Sequence, residues 1–502
     1  MAKRLFSLFF PYVFILPRGG VSMNEAIVSL PLFCARAAHA GYRCFLFPLL
    51  LLLPMLLYGC AFTSTGRSPE RDFAVLDAVV PAERAALSSD IAEPWTLDRL
   101  IGASITTNPR VLGSLAGYRA AESRADAAWA EYLPVPYVDM RYDARDGDRV
   151  GVFGIRQPLW SGGKLSSGLQ AARSIAWSSK LSISETQLST ALDVVNRYQA
   201  ILCHRVRIEA HTKGVSLLER YASMMERRKA SGISSSMEVS LVASRLLQER
   251  SDLSMARAGL HTELDHLSLL VGQRLSGKDL SFVDDQGMVA PPALDTLRDH
   301  AMHRNPMLAR ASATIDVARH QRSKELANLL PTVVLKAEHQ SDFSGTDVEN
   351  AVYMTMEYEF GGGLAALGAI RSARSGIEKA RQNEESVRRD LEAVLHEEHE
   401  SCQVSLARYT LSRDKTRYSQ AVLDSYTRLF VAGKVSWLDL LNSARELIQN
   451  EVATGDLLAS YWGSLYRLRL YSADPELLGG LINDQASTPA DSPVEDVDTD
   501  ES

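Results

Sequence analysis

The sequence predicts a mainly α-helical protein with two β-hairpins, built from a duplicated helix–β-hairpin–long helix–turn–helix unit. Punctuation residues recur in order at one spacing: Asn108-Pro109 and Asn305-Pro306 lie 197 residues apart, as do Pro134 and Pro331. Pro134 and Pro331 each precede segments that alternate apolar and polar residues, as half-buried strands do. A very long helical pattern without proline follows each pair of segments. The ordered recurrence indicates a tandem duplication.

The chain begins with a predicted leader over residues 1–59. An apolar run from Cys44 to Tyr58 follows Arg36 and Arg43, which is the order of a signal peptide. Cys60 comes directly after Leu-Tyr-Gly, a run similar to a bacterial lipobox, so we expect lipidation of Cys60 as the first mature residue. The alternative is a plain membrane anchor.

Composition divides the remainder of the chain. We expect an N-terminal segment at 60–94, a first repeat at 95–275, a linker at 276–292, a second repeat at 293–472 and a disordered acidic tail at 473–502. The tail is rich in Ser, Pro and Asp and holds no Lys or Arg after Glu476, so it cannot form a core. The net charge is −7, and without a basic patch the sequence gives no indication of nucleic-acid binding.

The first repeat opens with a helical pattern from Trp95 to about Glu131, in which Asn108-Pro109 marks the change from a short helix to a longer one. Two strand-like segments follow, Val135 to Arg145 and Arg149 to Trp160. Asp146-Gly147-Asp148 between them is a hairpin signal.

The second hairpin alternates more cleanly than the first. Apolar and polar residues alternate along Val333 to Gln340 and again along Val352 to Phe360. Strands of this length cross a bilayer when tilted, although a soluble half-buried sheet shows the same period of two. Four strands cannot close a barrel, and an open edge in lipid leaves backbone groups unpaired. A membrane location therefore requires several chains to share one barrel.

The long helical patterns run from about Leu165 to Lys229 and from about Leu364 to Val431. Each predicts a helix of about 100 Å at 1.5 Å per residue, a length that implies coiled-coil packing. The apolar positions form stripes, which include Ala191, Leu192, Val195, Leu391, Val394 and Leu395. Neither helix is apolar all round, so we do not expect either to cross lipid as a helix.

A glycine turn joins each long helix to a return helix. Gly232 and Gly433 suit the helix C′ position, where φ is positive. Ser436 stands one residue before the next apolar run and is a predicted N-cap. The return helices end near Val271 and Leu470.

No catalytic or metal motif is complete. His396-Glu397-Glu398-His399 lacks the i, i+4 histidines of a metalloprotease helix and is interpreted as solvated helix face. The other helical histidines, His204, His211, His261 and His266, are interpreted as structural. Cys203 and Cys402 occupy near-equivalent places in the repeats and are expected to be buried free thiols. We expect no enzyme, metal or cofactor.

The ordered motifs resemble those of the TolC-like outer-membrane channel proteins. The resemblance covers Trp95 to Leu470 and rests on the Asn-Pro helix, the Leu-Pro before a strand, Gln157-Pro158-Leu159-Trp160-Ser161-Gly162-Gly163 and both glycine turns. It implies a homotrimer whose twelve strands, four from each chain, form one barrel in the outer membrane of a Gram-negative bacterium. It also implies that the helices continue as an α-barrel across the periplasm.

The same resemblance assigns roles to the turns. Asp439 and Asn442 take two positions, three apart, where the family narrows its pore with acidic residues; Asn442 departs from the acidic pattern, which should weaken the ring. An acid at a helix N-terminus, such as Asp439, also stabilises the helix by interacting with the helix dipole. Gly232, Gly433, Lys434 and Ser436 are where a periplasmic adaptor protein would dock, although glycine at a turn also serves geometry.

The resulting hypothesis is a passive exit channel joined through an adaptor to an inner-membrane transporter. Residues Val435 to Glu446 are more similar to the type I (ABC-driven) branch that secretes adhesins, whereas a lipobox is commoner in proton-driven small-molecule efflux. We favour secretion and keep efflux as the alternative. A periplasmic coiled-coil scaffold is the alternative of another class.

Overall fold

The computed structural model describes residues 94–142, 149–283, 285, 287–342, 348–358 and 364–473. Several sequence predictions lie outside these residues: the leader at 1–59, lipidation of Cys60, the hairpin turn at 146–148 and the acidic tail beyond Ala473. Within the described residues, the element order is the same in both halves of the chain.

The first repeat comprises α1 (Leu97–Thr107), α2 (Pro109–Ala130), β1 (Val135–Tyr142), β2 (Arg149–Trp160), α3 (Lys164–Ala230) and α4 (Ser236–Val271). The second comprises α5 (Leu294–Arg304), α6 (Pro306–Ala327), β3 (Thr332–Asp342), β4 (Val348–Glu357), α7 (Leu364–Val431) and α8 (Trp437–Tyr471). The predicted fold class, a mainly helical chain with four strands in a duplicated unit, is confirmed.

Asparagine and proline set the break between the first two helices of each repeat. The Oδ1 atom of Asn108 accepts a hydrogen bond from the Arg110 N–H at 2.9 Å, and Asn305 does the same for Met307. The proline that follows stands at the first helical position, where a missing N–H costs nothing. The predicted change of helix at both sites is confirmed.

The same break is tied to the end of its own repeat. In the first repeat, the Thr107 hydroxyl donates to the Val271 carbonyl at 3.0 Å; in the second, the Asn305 amide donates to the Tyr471 carbonyl at 2.9 Å. Each bond satisfies a carbonyl that the last turn of a helix leaves without an intrahelical partner. The return helix of each repeat therefore ends against its first helix pair.

The four long helices contact one another in the order α4, α3, α8, α7. α3 and α8 approach closely because Gly455 has no side chain: a Cβ atom there would lie 2.5 Å from Val206 Cγ2. Next to this contact, Arg207 binds both carboxylate oxygens of Asp456, at 3.0 and 2.8 Å. The two repeats thus meet along α3 and α8.

Two buried clusters hold the helices together. The larger joins both repeats and includes Leu100, Ile101, Val194, Ile201, Leu267, Leu395, Tyr461 and Leu468. The smaller lies under the glycine turns and includes Met225, Val242, Phe430, Trp437 and Leu440. Ala191, Val195, Leu391 and Leu395 of the predicted apolar stripes are buried, which agrees with the coiled-coil interpretation.

The residues between the repeats are packed against the helices. The Tyr198 hydroxyl of α3 donates to the Ser281 carbonyl at 2.9 Å, and the Tyr461 hydroxyl of α8 donates to the Val289 carbonyl at 2.7 Å. Arg413 of α7 pairs with Asp285 at 3.0 Å. The segment therefore contacts α3, α7 and α8.

The four strands form one antiparallel sheet in the order β1, β2, β3, β4. β2 pairs with β3, so the hairpins of the two repeats are continuous; one row across the sheet runs Val138, Phe153, His339, Asn350. Both predicted hairpins are confirmed. Their pairing with each other was not predicted.

The two faces of the sheet differ in polarity. One face exposes large apolar side chains, namely Val138, Met140, Phe153, Ile155, Val352, Met354 and Met356. The other face carries polar pairs, among them Lys336 with Glu357 at 2.7 Å and the Tyr137 hydroxyl with the Glu338 carboxylate. The alternation predicted these two faces, except that His339 and Asn350, which lie 2.7 Å apart, stand on the apolar face beside Phe153.

Within the part of the chain that the structure describes, no helix is both long and apolar enough to cross a membrane.

One interpretation from the sequence is wrong in part. His399 is buried, with its Nε2 atom 3.2 Å from the Pro292 carbonyl, and Glu398 pairs with Arg467 at 2.6 Å. Only His396 and Glu397 of this run are exposed, as solvated helix face requires. The segment between the repeats and α8 cover the other side, which a local pattern could not reveal.

The prediction of buried free thiols is confirmed for Cys402 and only in part for Cys203. Cys203 and Cys402 are both free, and Cys402 is fully buried whereas Cys203 is half-buried. Burial raises the pKa of each thiol to about 11. Neither is a reactive cysteine.

Candidate functional site

The second glycine turn joins α7 to α8. Gly433 has φ of 71°, the left-handed conformation that glycine adopts without steric cost. The Gly433 N–H donates to the Phe430 carbonyl at 3.0 Å and the Lys434 N–H to the Leu429 carbonyl at 2.9 Å, which closes the end of α7. The predicted conformation of Gly433 is confirmed, and Lys434 is exposed.

Ser436 caps the start of α8. Its Oγ atom accepts a hydrogen bond from the Asp439 N–H at 3.1 Å, and its hydroxyl donates to the Asp439 carboxylate at 2.6 Å. The predicted N-cap is confirmed. The dipole role considered for Asp439 fits this position, because the carboxylate lies in the first turn of a helix.

The first glycine turn has nearly the same backbone conformation and helix capping as the second. Gly232 has φ of 72°, and Ser235 and Glu238 form a reciprocal capping box at the start of α4. Glu238 in the first repeat therefore occupies the place that Asp439 holds in the second. This correspondence provides a matched control for Asp439.

An aromatic cluster lies directly beneath the second turn. The Trp437 ring is 5.6 Å from Tyr221 of α3, edge to face, and 5.3 Å from Phe430 of α7. The Arg228 guanidinium stacks 4.7 Å over the Phe430 ring. The cluster joins α3, α7 and α8, so movement of one turn relative to the other would disturb it.

Asp439 and Asn442 are exposed and line the same open groove between α7 and α8. The groove has a volume of about 630 Å³, and Lys415 and Tyr426 of α7 face it from the other side. Since residues i and i+3 share a face of a helix, both side chains point to one surface. The arrangement presents a carboxylate and an amide side by side at the end of the long helices.

A second feature near this groove was missed by sequence reasoning. Exposed apolar residues recur on α7 at seven-residue intervals, at Val404, Leu411 and Tyr418, followed by Val422. Leu411 is 71% exposed and Tyr418 is 64% exposed. We call these four residues the α7 stripe. A heptad count along α7 would have found it, because seven-residue spacing of apolar residues is typical of helices that pack as coiled coils.

The sheet also ends in two open edges. Among the described strands, β1 pairs only with β2 and β4 only with β3. An apolar exposed face on a sheet with two open edges is not a stable surface in water or in lipid.

Long paired helices that continue into an antiparallel sheet, with one apolar sheet face, define the class of outer-membrane channel proteins. The chain belongs to the outer membrane efflux protein family, whose sequence profile matches residues 100–273 and 297–473. It is a non-enzymatic channel protein of the Gram-negative outer membrane that extends into the periplasm. The TolC-like resemblance is thereby confirmed, and the scaffold hypothesis is not retained.

Curated relatives are distant. The chain is 28% identical over 242 residues to the alkaline protease secretion protein AprF of Pseudomonas aeruginosa, an alignment covering 44% of this chain and half of AprF. It is 21% identical over 375 residues to the cobalt-zinc-cadmium resistance protein CzcC of Cupriavidus metallidurans, covering 72% of this chain and 86% of CzcC.

Solved structures share the fold. The outer membrane protein VceC of Vibrio cholerae superposes with a TM-score of 0.64 at 16% identity, over 76% of this chain and 96% of VceC. At this identity the likeness concerns the fold alone.

Proposed function

We propose that three copies of this chain form one passive channel through the outer membrane and periplasm. The observation that carries the proposal is the four-stranded sheet with two open edges and an exposed apolar face. Pairing β4 of one copy with β1 of the next removes both edges, and three copies give twelve strands. The apolar face then meets lipid, and the polar face with its Tyr137–Glu338 and Lys336–Glu357 pairs lines the channel.

The helices support the same assembly. α7 and α4 are the outer members of the row of long helices, so they are free to meet between copies. The α7 stripe is apolar and exposed, and α4 exposes Leu247, Met255 and Leu269. Burial of these surfaces between copies would contribute roughly 25 cal/mol per Å² of apolar area.

Asp439 and Asn442 form the proposed pore gate. Three copies of Asp439 around one axis would make an anionic ring that favours cations. Asn442, one turn further along α8, adds a polar ring without charge. The shared groove and the exposure of both residues support the proposal.

Ion conductance of the detergent-purified protein in a planar bilayer tests the gate. We expect Asp439→Ala to enlarge the conductance steps or reduce their cation selectivity, and Asn442→Asp to increase the selectivity. Glu238→Ala is the matched control, because it removes the equivalent helix-capping acid of the first repeat without touching the ring. Equal behaviour of Asp439→Ala and Glu238→Ala would show that both residues act only as caps.

The turns at Gly232 and Gly433, with Lys434 and Ser436, are the proposed contact for a periplasmic adaptor. They are exposed, and their tight backbone conformation leaves open space around each glycine. The adaptor would in turn connect the channel to an inner-membrane transporter that supplies the energy.

For the cargo we favour type I secretion of a protein, driven by an ABC transporter. The higher identity, 28%, is to a protein named for protease secretion, whereas the match to the metal-resistance protein CzcC is weaker but covers more of the chain. Deletion of the gene in its own host separates the two. Loss of one large protein from the culture medium supports secretion, and increased sensitivity to metal ions or small toxic compounds supports efflux by a proton-driven pump.

A further inference from the structure

Three potential metal ligands converge where α3 meets α4. His211 belongs to α3, and Glu249 and Asp252 lie three residues apart on α4. One ligand atom from each residue lies within 4.8 Å of the other two. The His211 Nδ1 atom is 2.6 Å from Glu249 Oε1, and both side chains are largely buried, at 15% and 12% exposure.

We propose that His211, Glu249 and Asp252 bind a divalent transition-metal cation that links α3 to α4. An imidazole with two carboxylates suits Zn²⁺, Ni²⁺ or Co²⁺, whereas Mg²⁺ and Ca²⁺ prefer oxygen ligands alone. Two ligands about 2.1 Å from a tetrahedral Zn²⁺ stand about 3.4 Å apart, so the present 2.6 Å contact between His211 Nδ1 and Glu249 Oε1 needs to widen by about 0.8 Å.

The surroundings of the three residues fit this role. Gly214 of α3 leaves room for the Glu249 carboxylate, since a Cβ atom there would lie 2.6 Å from Glu249 Oε1. The Gln248 amide donates to Asp252 Oδ1 at 3.0 Å, which orients this carboxylate as supporting hydrogen bonds do around metal ions. A groove of about 460 Å³ adjoins all three side chains and has space for water as a further ligand.

Other charges in the groove limit the affinity. Arg245 and Arg445 line the same groove, and their positive charges oppose a cation. Asp456 also faces it, but its carboxylate is occupied by Arg207. The negative charge that is available to bind a cation is therefore that of the Glu249 and Asp252 carboxylates.

Isothermal titration calorimetry of the full chain in detergent tests the site. The protein carries a tag without histidine, is stripped with a chelator and is titrated with ZnCl₂ or, separately, MgCl₂. We expect one Zn²⁺ per chain and no comparable binding of Mg²⁺. His211→Gln and Asp252→Asn should each weaken Zn²⁺ binding by at least about tenfold. Asp252→Asn is the safer variant, because the hydrogen bond that Asp252 accepts comes from Gln248 of the same helix, whereas His211 contacts Glu249 across the two helices.

His261→Gln is the matched control. His261 lies 3.0 Å from Asp265 on the exposed side of α4, so this variant removes another histidine–carboxylate pair. We expect it to bind Zn²⁺ as the wild type does. The proposal is overturned if the wild type binds no Zn²⁺ up to about 1 mM, if Asp252→Asn binds as tightly as the wild type, or if His261→Gln loses as much affinity. None of these measurements depends on channel function.

Discussion

At the scale of single residues, one contact joins the two repeats across the sheet and requires a glycine. Tyr137 of β1 lies over Gly154 of β2, and its hydroxyl donates to Glu338 of β3. A Cβ atom on Gly154 would lie 2.4 Å from the Tyr137 ring. An aromatic ring laid over a neighbouring glycine is a known way of fixing strand register.

We therefore expect Gly154→Ala to destabilise the assembled protein. The methyl group would displace the Tyr137 ring and break its bond to Glu338, at a cost of about 1–3 kcal/mol for an overpacked site. The temperature at which the detergent-solubilised assembly dissociates on a gel measures this effect. Gly168→Ala in α3 is the control: nothing lies within 4 Å of its added methyl group. It should be neutral or stabilising, and a similar loss from both variants would contradict the account.

The cysteines provide a chemical prediction. Because burial raises the pKa of Cys203 and Cys402 to about 11, roughly one thiol in a thousand is ionised at pH 8. We expect a maleimide to label both residues much more slowly in the folded protein than in the unfolded chain at pH 8. After unfolding, two thiols per processed chain should react if a lipid occupies the Cys60 sulfur, and three if it does not. Rapid labelling of Cys203 or Cys402 in the folded state would contradict the burial argument.

Residue roles could be predicted from the sequence where partners are near in the chain. The Ser436 cap was predictable because its partner Asp439 is three residues away. Tyr137 and Glu338 are 201 residues apart, and no local pattern joins them. His399 was misinterpreted for the same reason, because Pro292, which covers it, belongs to a distant segment.

At the scale of elements, the sequence predicted the ends of the helices well, but it did not predict how the helices and strands of the two repeats are arranged against each other. The expected limits Leu165 to Lys229 differ by one residue at each end from α3 at Lys164–Ala230. Glycine and proline fix such limits through local backbone geometry. The pairing of β2 with β3 and the order of the long helices depend on contacts between the repeats, which periodicity does not encode.

An ion pair between α7 and α8 also reaches α3. Arg467 of α8 lies 2.6 Å from Glu398 of α7 and 2.7 Å from Gln199 of α3, and Arg467 and Glu398 are each 16% exposed. Arg467→Met would leave Glu398 as a buried charge without its partner, a change that costs about 3–5 kcal/mol. We expect a large fall in the thermal midpoint of the detergent-solubilised protein.

Two further variants separate charge from packing. Adding Glu398→Gln to Arg467→Met should recover part of the lost stability, because the unpaired charge is then removed. Arg413→Met breaks an exposed pair with Asp285 and should cost no more than about 1 kcal/mol. If Arg467→Met were as mild as Arg413→Met, the bridge would not be holding the three helices together.

At the scale of the whole molecule, one chain leaves its own surfaces incomplete. Within the described chain, β1 and β4 each have one edge without a paired strand. The apolar sheet face and the α7 stripe are exposed there as well. Copies that share a barrel cover these surfaces together, so assembly, membrane insertion and formation of the channel should be one coupled process. The duplicated unit supplies two hairpins per chain, and three chains suffice for a twelve-stranded barrel.

The number of copies in the detergent-solubilised complex tests this claim most directly. Native mass spectrometry of the full processed chain should give a single species with the mass of three chains. Conversion to monomer should require heating, because it separates strands that pair between copies. A stable monomer, or a dimer in which no twelve-stranded closure is possible, would contradict the shared barrel and with it the proposed channel.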